Sequence, residues 1–198
     1  MKQLDAQVLL GRKQAAIHIG GVVASRQPLV VSTVLGSCIS VCLRDPKMQI
    51  GGMNHFMLPS SNDEANAEAR YGVHAMELLI NACMKEGADR RRLEAKLFGG
   101  GHVLKAPETG GSVPKSNIAF ALEFLRTENI PILAQDLGGY AAREVHFFTD
   151  SGKTLLRRLT IVEADDPALA QIERAERRER ARKSAPSGND AAENITLF

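Results

Sequence analysis

Apolar and polar residues alternate over two stretches early in the chain. Leu29 to Ser32 is rich in β-branched residues, and Ile39-Ser40-Val41-Cys42-Leu43-Arg44 switches between apolar and small or polar side chains. A period of two predicts half-buried strands. Leu35-Gly36-Ser37 between them reads as a tight turn of small residues. Asp45-Pro46-Lys47-Met48 reads as a second turn, with proline where its fixed φ is favoured, and residues 49–58 as a strand stopped by Pro59. The period then lengthens. Val73, Met76, Ile80 and Cys83 recur every three or four residues, predicting one apolar helix face. Ser61 and Asn62 are candidate caps, and Gly87 is the expected stop. A strand over 93–98 ends in the run Gly99-Gly100-Gly101. A second helix is predicted over 117–128, capped by Ser116, with Ile118, Leu122 and Leu125 on one face. A strand over 130–135, a turn at Gly138-Gly139, and a hairpin of 143–149 with 154–162 complete the body. Strands that alternate with two helices but also form hairpins predict an α/β or α+β layered sandwich, a single domain with a mixed or antiparallel sheet and flanking helices.

The pattern lapses from Ala164. Residues 173–183 read ERAERRERARK, 184–190 read SAPSGND, and the chain ends ENITLF. Residues 1–163 are therefore expected to form the domain, and 164–198 a charged, flexible extension. Its apolar tip of Ile195, Leu197 and Phe198 is either a frayed end or a docking element. The 198 residues carry 25 Lys+Arg against 23 Asp+Glu, a net charge of +2, so no global field points to nucleic acid or an anionic membrane. Trp is absent and aromatics are 5%, which argues against base-stacking platforms. The uncharged run from Gln27 to Leu43 holds proline, glycine and several hydroxyls, unlike a spanning helix. No signal peptide is evident, and three cysteines fit a reducing compartment better than a disulfide scaffold. A cytoplasmic protein, not integral to a membrane, is expected.

The candidate chemistry lies at Cys38 and His55. A four-residue turn over 45–48 would pair Arg44 with Gln49 and set Cys38 directly opposite His55, on one face of the hairpin. A register changed by one residue would separate them. An imidazolium beside a thiol favours the thiolate, a nucleophile toward carbonyl carbon, and a third group usually orients the imidazole. Ser32 and Thr33, six and five residues before Cys38, are both candidates for that hydroxyl. Backbone N–H groups of the Gly36-Ser37 turn could face a developing oxyanion. Cys42 shares the face of Cys38 by alternation, but no closely spaced second pair completes a four-ligand zinc site. Cys83, on a helical apolar face, reads as core. The glycine run lacks the spacing of a phosphate loop.

The string Leu35-Gly36-Ser37-Cys38, the strand ending Leu43-Arg44-Asp45, and His55 with Met57-Leu58-Pro59 closely resemble the CheD family of bacterial chemoreceptor glutamine deamidases. The resemblance continues through Glu94-Ala95-Lys96, Gly99-Gly100, Asn117, Asp136, Gly138-Gly139 and Arg143, covering roughly residues 15–162. It implies a sandwich similar to the catalytic domain of cytotoxic necrotizing factor toxins, with a Cys–His pair assisted by a threonine. Carried over by position, Cys38 is the nucleophile, His55 the general base and acid, and Ser32 stands where the family has its threonine. Two further departures are Gly101-His102-Val103 where the family continues Ala-x-Met, and Ala142 where it often has glycine. The implied reaction converts glutamine side chains of methyl-accepting chemotaxis receptors to glutamate through a cysteine thioester, with no metal or organic cofactor. A CheC-type phosphatase is an implied docking partner, and docking without catalysis is the rival reading. A general cysteine amidase is a third.

Overall fold

The computed structural model of the chain describes residues 11–58, 65–103 and 113–159, with residues 65–69 described by backbone alone. The strands are β1 (Lys13–Ala16), β2 (Val22–Ser25), β3 (Leu29–Leu35), β4 (Ile39–Asp45), β5 (Ile50–Asn54), β6 (Glu94–Gly99), β7 (Ile132–Leu137), β8 (Ala142–Phe148) and β9 (Thr154–Leu159). The helices are α1 (Ala65–Lys85) and α2 (Val113–Thr127). Two sheets form, one ordered β1-β3-β8-β9 and the other β2-β5-β4-β6-β7. Each mixes parallel and antiparallel pairs: β1 lies parallel to β3 and β7 to β6, and the remaining pairs are antiparallel.

The alternation of β4 assigns its two faces. Ile39, Val41 and Leu43 are fully buried with Met76, Leu79, Ile80, Cys83, Ala121 and Leu125 of the helices. Cys38, just before the strand, and Cys42 are buried instead with Val31, Leu35, Val145 and Phe147 of the other sheet. The layers therefore run helices, five-stranded sheet, four-stranded sheet. This is the α+β sandwich the pattern predicts, with two sheets where a single one was expected. Both faces of the central strand are covered along Ile39–Leu43, where the polar residue is the small Ser40, which has no exposed surface. Full burial of each large aliphatic side chain in these layers contributes about 1.5–3 kcal/mol.

The expected elements are present with shifted ends, and their stops follow the local chemistry. α1 ends at Lys85, and Gly87 just beyond it has a φ of +108° that lets Ala88 N donate to Cys83 O alongside Gly87 N to Met84 O, closing the last turn as a left-handed residue at that position does. Its buried stripe runs through Met76, Leu79, Ile80 and Cys83, while Val73, assigned above to the same face, is 42% exposed. α2 starts at Val113, ahead of the expected 117, because Pro114 is acceptable in a first turn where its missing N–H is not needed. β1 and β2 have no counterpart in the sequence reading; each is four residues long, and β1 is mostly exposed, too little for a period to register. Pro59, Ser61, Asn62, the far end of the last hairpin strand and the extension over 164–198 lie outside the described residues.

The β4–β5 hairpin departs from its expected register. Asp45 pairs with Ile50, Arg44 with Gly51 and Cys42 with Met53, so the turn occupies residues 46–49 and not 45–48. The cause is the Asp45 carboxylate, which accepts from Lys47 N (3.0 Å) and Met48 N (3.1 Å) and folds the turn beyond itself. Gln49 closes it in the left-handed region at φ 54°. The same carboxylate accepts from Asp89 N and from the Arg92 guanidinium, and its side chain is wholly buried. Burial alone would raise its pKa, but the Arg92 hydrogen bond and the backbone donors outweigh that and hold it at about 2. Asp45→Ala strands those donors and is expected to lower unfolding free energy by about 2–4 kcal/mol; a urea midpoint equal to that of the unaltered chain contradicts this role.

Candidate active site

His55 follows β5 where the ladder opens. Asn54 turns its side chain into the pairing: its Oδ1 accepts from Val41 N at 2.9 Å, and its carbonyl accepts from Ser40 Oγ at 2.6 Å. The backbone of His55 then pairs with the other neighbour. Gly20 N donates to His55 O at 2.7 Å and His55 N to Gly21 O at 3.0 Å. Ile39 and Phe56 re-form a bridge on the same register as the hairpin. That register sets His55 opposite Ser40, two residues beyond Cys38. A shift of two keeps the side-chain parity. Cys38 and His55 therefore share the face toward the four-stranded sheet, on a diagonal step where direct opposition was expected.

The imidazole is joined to that second sheet. Thr33 Oγ1 lies 2.8 Å from His55 Nδ1 and 2.8 Å from Ile17 O, and it donates to the latter. A hydroxyl has one proton. With that proton given to Ile17 O, Thr33 accepts from Nδ1–H, so the neutral ring carries its lone pair on Nε2. His55 Nε2 is buried and without a hydrogen-bond partner. Of the two candidate hydroxyls the structure brings Thr33, and not Ser32, to the imidazole. Ser32 is one residue away on the strand, so its side chain leaves the opposite face, where it pairs with His146. Burial, with a smaller effect from the charge of His18, pushes the His55 pKa down to about 3.

Cys38 has no exposed surface. Three successive carbonyls around it are tied from outside the turn. Gly36 O accepts from Gly101 N (2.8 Å), Ser37 O from Asn117 Nδ2 (2.9 Å), and Cys38 O from Gly100 N (2.7 Å). Asn117, fully buried on α2, also accepts from Leu58 N at 2.8 Å, so one side chain fastens the cysteine turn to the segment after His55. Gly99 admits no side chain: its φ is +119°, and a Cβ there would stand 2.1 Å from Cys38 O. Arg143, 2% exposed, holds this glycine strap by donating to Gly99 O, Asp136 O and Gly138 O. Its Nε lies 3.3 Å from Asp136 Oδ1, an ion contact without hydrogen-bond geometry.

A family model described as CheD chemotactic sensory transduction matches residues 57–158. A relative from Bordetella avium (strain 197N) is 46% identical over 178 residues, 89% of this chain and 76% of that protein. One from Stenotrophomonas maltophilia (strain K279a) is 51% identical over 129 residues, 65% of each. One from Caulobacter sp. (strain K31) is 48% identical over 154 residues, 77% of this chain and 78% of that protein. The chain belongs to the CheD family. The three relatives bear the name "Probable chemoreceptor glutamine deamidase CheD". The matched model segment contains the glycine strap, Asn117, Asp136 and Arg143, and the longer alignment with the Bordetella relative spans Cys38 and His55 as well.

Within this CheD-family site, the sequence reading missed Asn54, Asn117 as a clamp, and the Gly20-Gly21 pairing. Only a glycine doublet before a strand hinted at the last. Burial raises the Cys83 thiol to about 12 and pushes the Cys42 thiol up as well, so neither ionises near neutral pH. Among the described residues no cluster of three His, Cys, Asp or Glu side chains could hold a metal ion, and no helix is long and apolar enough to cross a membrane.

The depressed pKa of His55 has a thermodynamic sign. Between pH 6.5 and about 3 the unfolded chain takes up a proton on this ring that the folded chain refuses. Stability contributed by the neutral buried ring is therefore complete above pH 6.5 and lost as pH falls through that window, by up to about 1.4 kcal/mol per pH unit. Urea unfolding at pH 7, 6 and 5 is expected to show this slope, and His55→Gln to flatten it; equal slopes in the two proteins would contradict the assignment.

Proposed function

We propose that this chain is a protein-glutamine deamidase that hydrolyses glutamine side chains on the cytoplasmic parts of methyl-accepting chemotaxis receptors, with Cys38 as nucleophile, His55 as general base and acid, and Thr33 as the hydroxyl that orients the ring. The relatives' names support the reaction class. One observation carries the residue roles: the Thr33 hydroxyl spends its proton on Ile17 O and fixes His55 as the Nδ1–H tautomer, leaving a partnerless Nε2 in the same inter-sheet layer as Cys38.

In this reading His55 Nε2 takes the Cys38 thiol proton as sulfur attacks the glutamine Cδ. The tetrahedral intermediate collapses when the imidazolium returns that proton to the departing nitrogen, and ammonia leaves. Water then attacks the thioester, losing a proton to Nε2, and the thiol is regenerated as glutamate is released. Across a planar trans peptide the N–H lies opposite the C=O. The tied carbonyls of Gly36 and Ser37 thus turn the Ser37 and Cys38 N–H groups away from the strap and helix, an orientation that supports their use toward the oxyanion. Both reacting side chains are closed off from solvent, which favours electrostatic strength at the reacting centre and requires the substrate's entry to displace part of the surround.

The test is ammonia release from a receptor cytoplasmic fragment, with mass spectrometry of its peptides for the roughly one-dalton gain of deamidation. Cys38→Ala is expected to abolish turnover. Thr33→Val, which keeps the shape but removes the acceptor, is expected to cut kcat by about 100-fold or more, whereas Ser32→Ala leaves kcat within about threefold. Retained turnover in Cys38→Ala overturns the mechanism. Equal losses in the Thr33 and Ser32 variants overturn the choice of hydroxyl.

A further inference from the structure

The strap that holds the cysteine turn also holds a second loop. Gly101 N donates to Gly36 O, and the next residue, His102, donates its backbone N–H to Gly139 O at 2.8 Å. Ala141 O approaches the same strap, standing 3.0 Å from where a Gly101 Cβ would be. From the inner side Arg143 collects the carbonyls of Gly138 and Ala141. The backbone on both sides of Tyr140 is thus drawn inward and fastened, while its side chain stays outside. Tyr140 is 82% exposed, against 57% or less for every other exposed large hydrophobic side chain among the described residues. Its ring leans on that of His102, with centroids 6.0 Å apart at 45°.

A single exposed aromatic is ordinary. This one differs in its setting: it is borne on a backbone with little freedom left to lose, and it is linked through one strap to the turn that carries Cys38. A rigid, amphipathic ring of this kind offers contact area at low entropic cost. A primary amide is the same on every glutamine, so selection among glutamines of a folded protein must come from contacts outside the amide. We propose that Tyr140, steadied by His102, is a specificity-determining residue that receives an apolar side chain of the polypeptide flanking the target glutamine. This rests on the deamidase reading and names how that site chooses its protein substrate.

The experiment uses the full chain and a receptor cytoplasmic fragment. Tyr140→Ala is expected to raise KM about tenfold, to leave kcat within about twofold and to leave the thermal midpoint unchanged, while Tyr140→Phe restores KM. In a Cys38→Ala background, where no turnover occurs, Tyr140→Ala is expected to weaken fragment binding by a similar factor. An unchanged KM and Kd, or a Tyr140→Phe variant as impaired as Tyr140→Ala, overturns the proposal. A fall in kcat with a lowered thermal midpoint and an unchanged KM overturns it too, since that marks a structural role. If the unaltered chain releases no ammonia the deamidase reading fails, and the binding arm still decides whether Tyr140 meets the receptor segment.

Discussion

One hydroxyl proton organises the site. Thr33 stands on one sheet and His55 at the end of a strand of the other, and their 2.8 Å contact joins the two layers from within, among the buried apolar side chains between them. Because the Thr33 proton goes to Ile17 O, the contact has a direction: the ring must donate from Nδ1. In fixing tautomer and orientation the contact is comparable in geometry to the carboxylate–imidazole bond of a Ser–His–Asp triad, without bringing a negative charge into the layer. A carboxylate would raise the imidazole pKa. A neutral hydroxyl leaves burial unopposed, and the ring stays uncharged.

Around that contact the chain holds Cys38 by its backbone. The turn from Gly36 to Cys38 has its carbonyls tied to a glycine strap and to Asn117, and Arg143 ties the strap in turn to the Gly138 loop. Each fastening uses a buried polar group that would be costly if left unpaired, so the groups constrain one another. Burial lowers the pKa of Arg143, opposed by Asp136, which fits a guanidinium kept as a structural cross-link between the ends of β6, β7 and β8. The same network leads outward to the backbone on both sides of Tyr140, through His102 N to Gly139 O and Arg143 to the carbonyls of Gly138 and Ala141.

The hairpin register illustrates how parity protects a site. The expected turn and the observed one differ by a single residue at each end, which moves every cross-strand pair by two positions and leaves side-chain faces unchanged. Cys38 and His55 stay in one layer although they are not directly opposed. The choice of hydroxyl had no such protection. Ser32 and Thr33 are adjacent, so one faces inward and the other outward, and only the strand's orientation against β8 decides which.

The alternating stretches, the two helical periods, the glycine stop at Gly87 and the layered α+β class were legible in the chain itself, because each rests on contacts within a few residues or on burial of one face. The family pattern around Cys38, His55 and the glycine strap was legible for the same reason: these residues sit in short contiguous strings. What folding alone decided is non-local. β1 and β2 gain their pairing from strands elsewhere in the chain, Asn117 reaches Ser37 across 80 positions, and Thr33 meets His55 only because two sheets stack. A hydrogen bond between layers leaves no period in a sequence, so no spacing rule could have chosen Thr33 over Ser32.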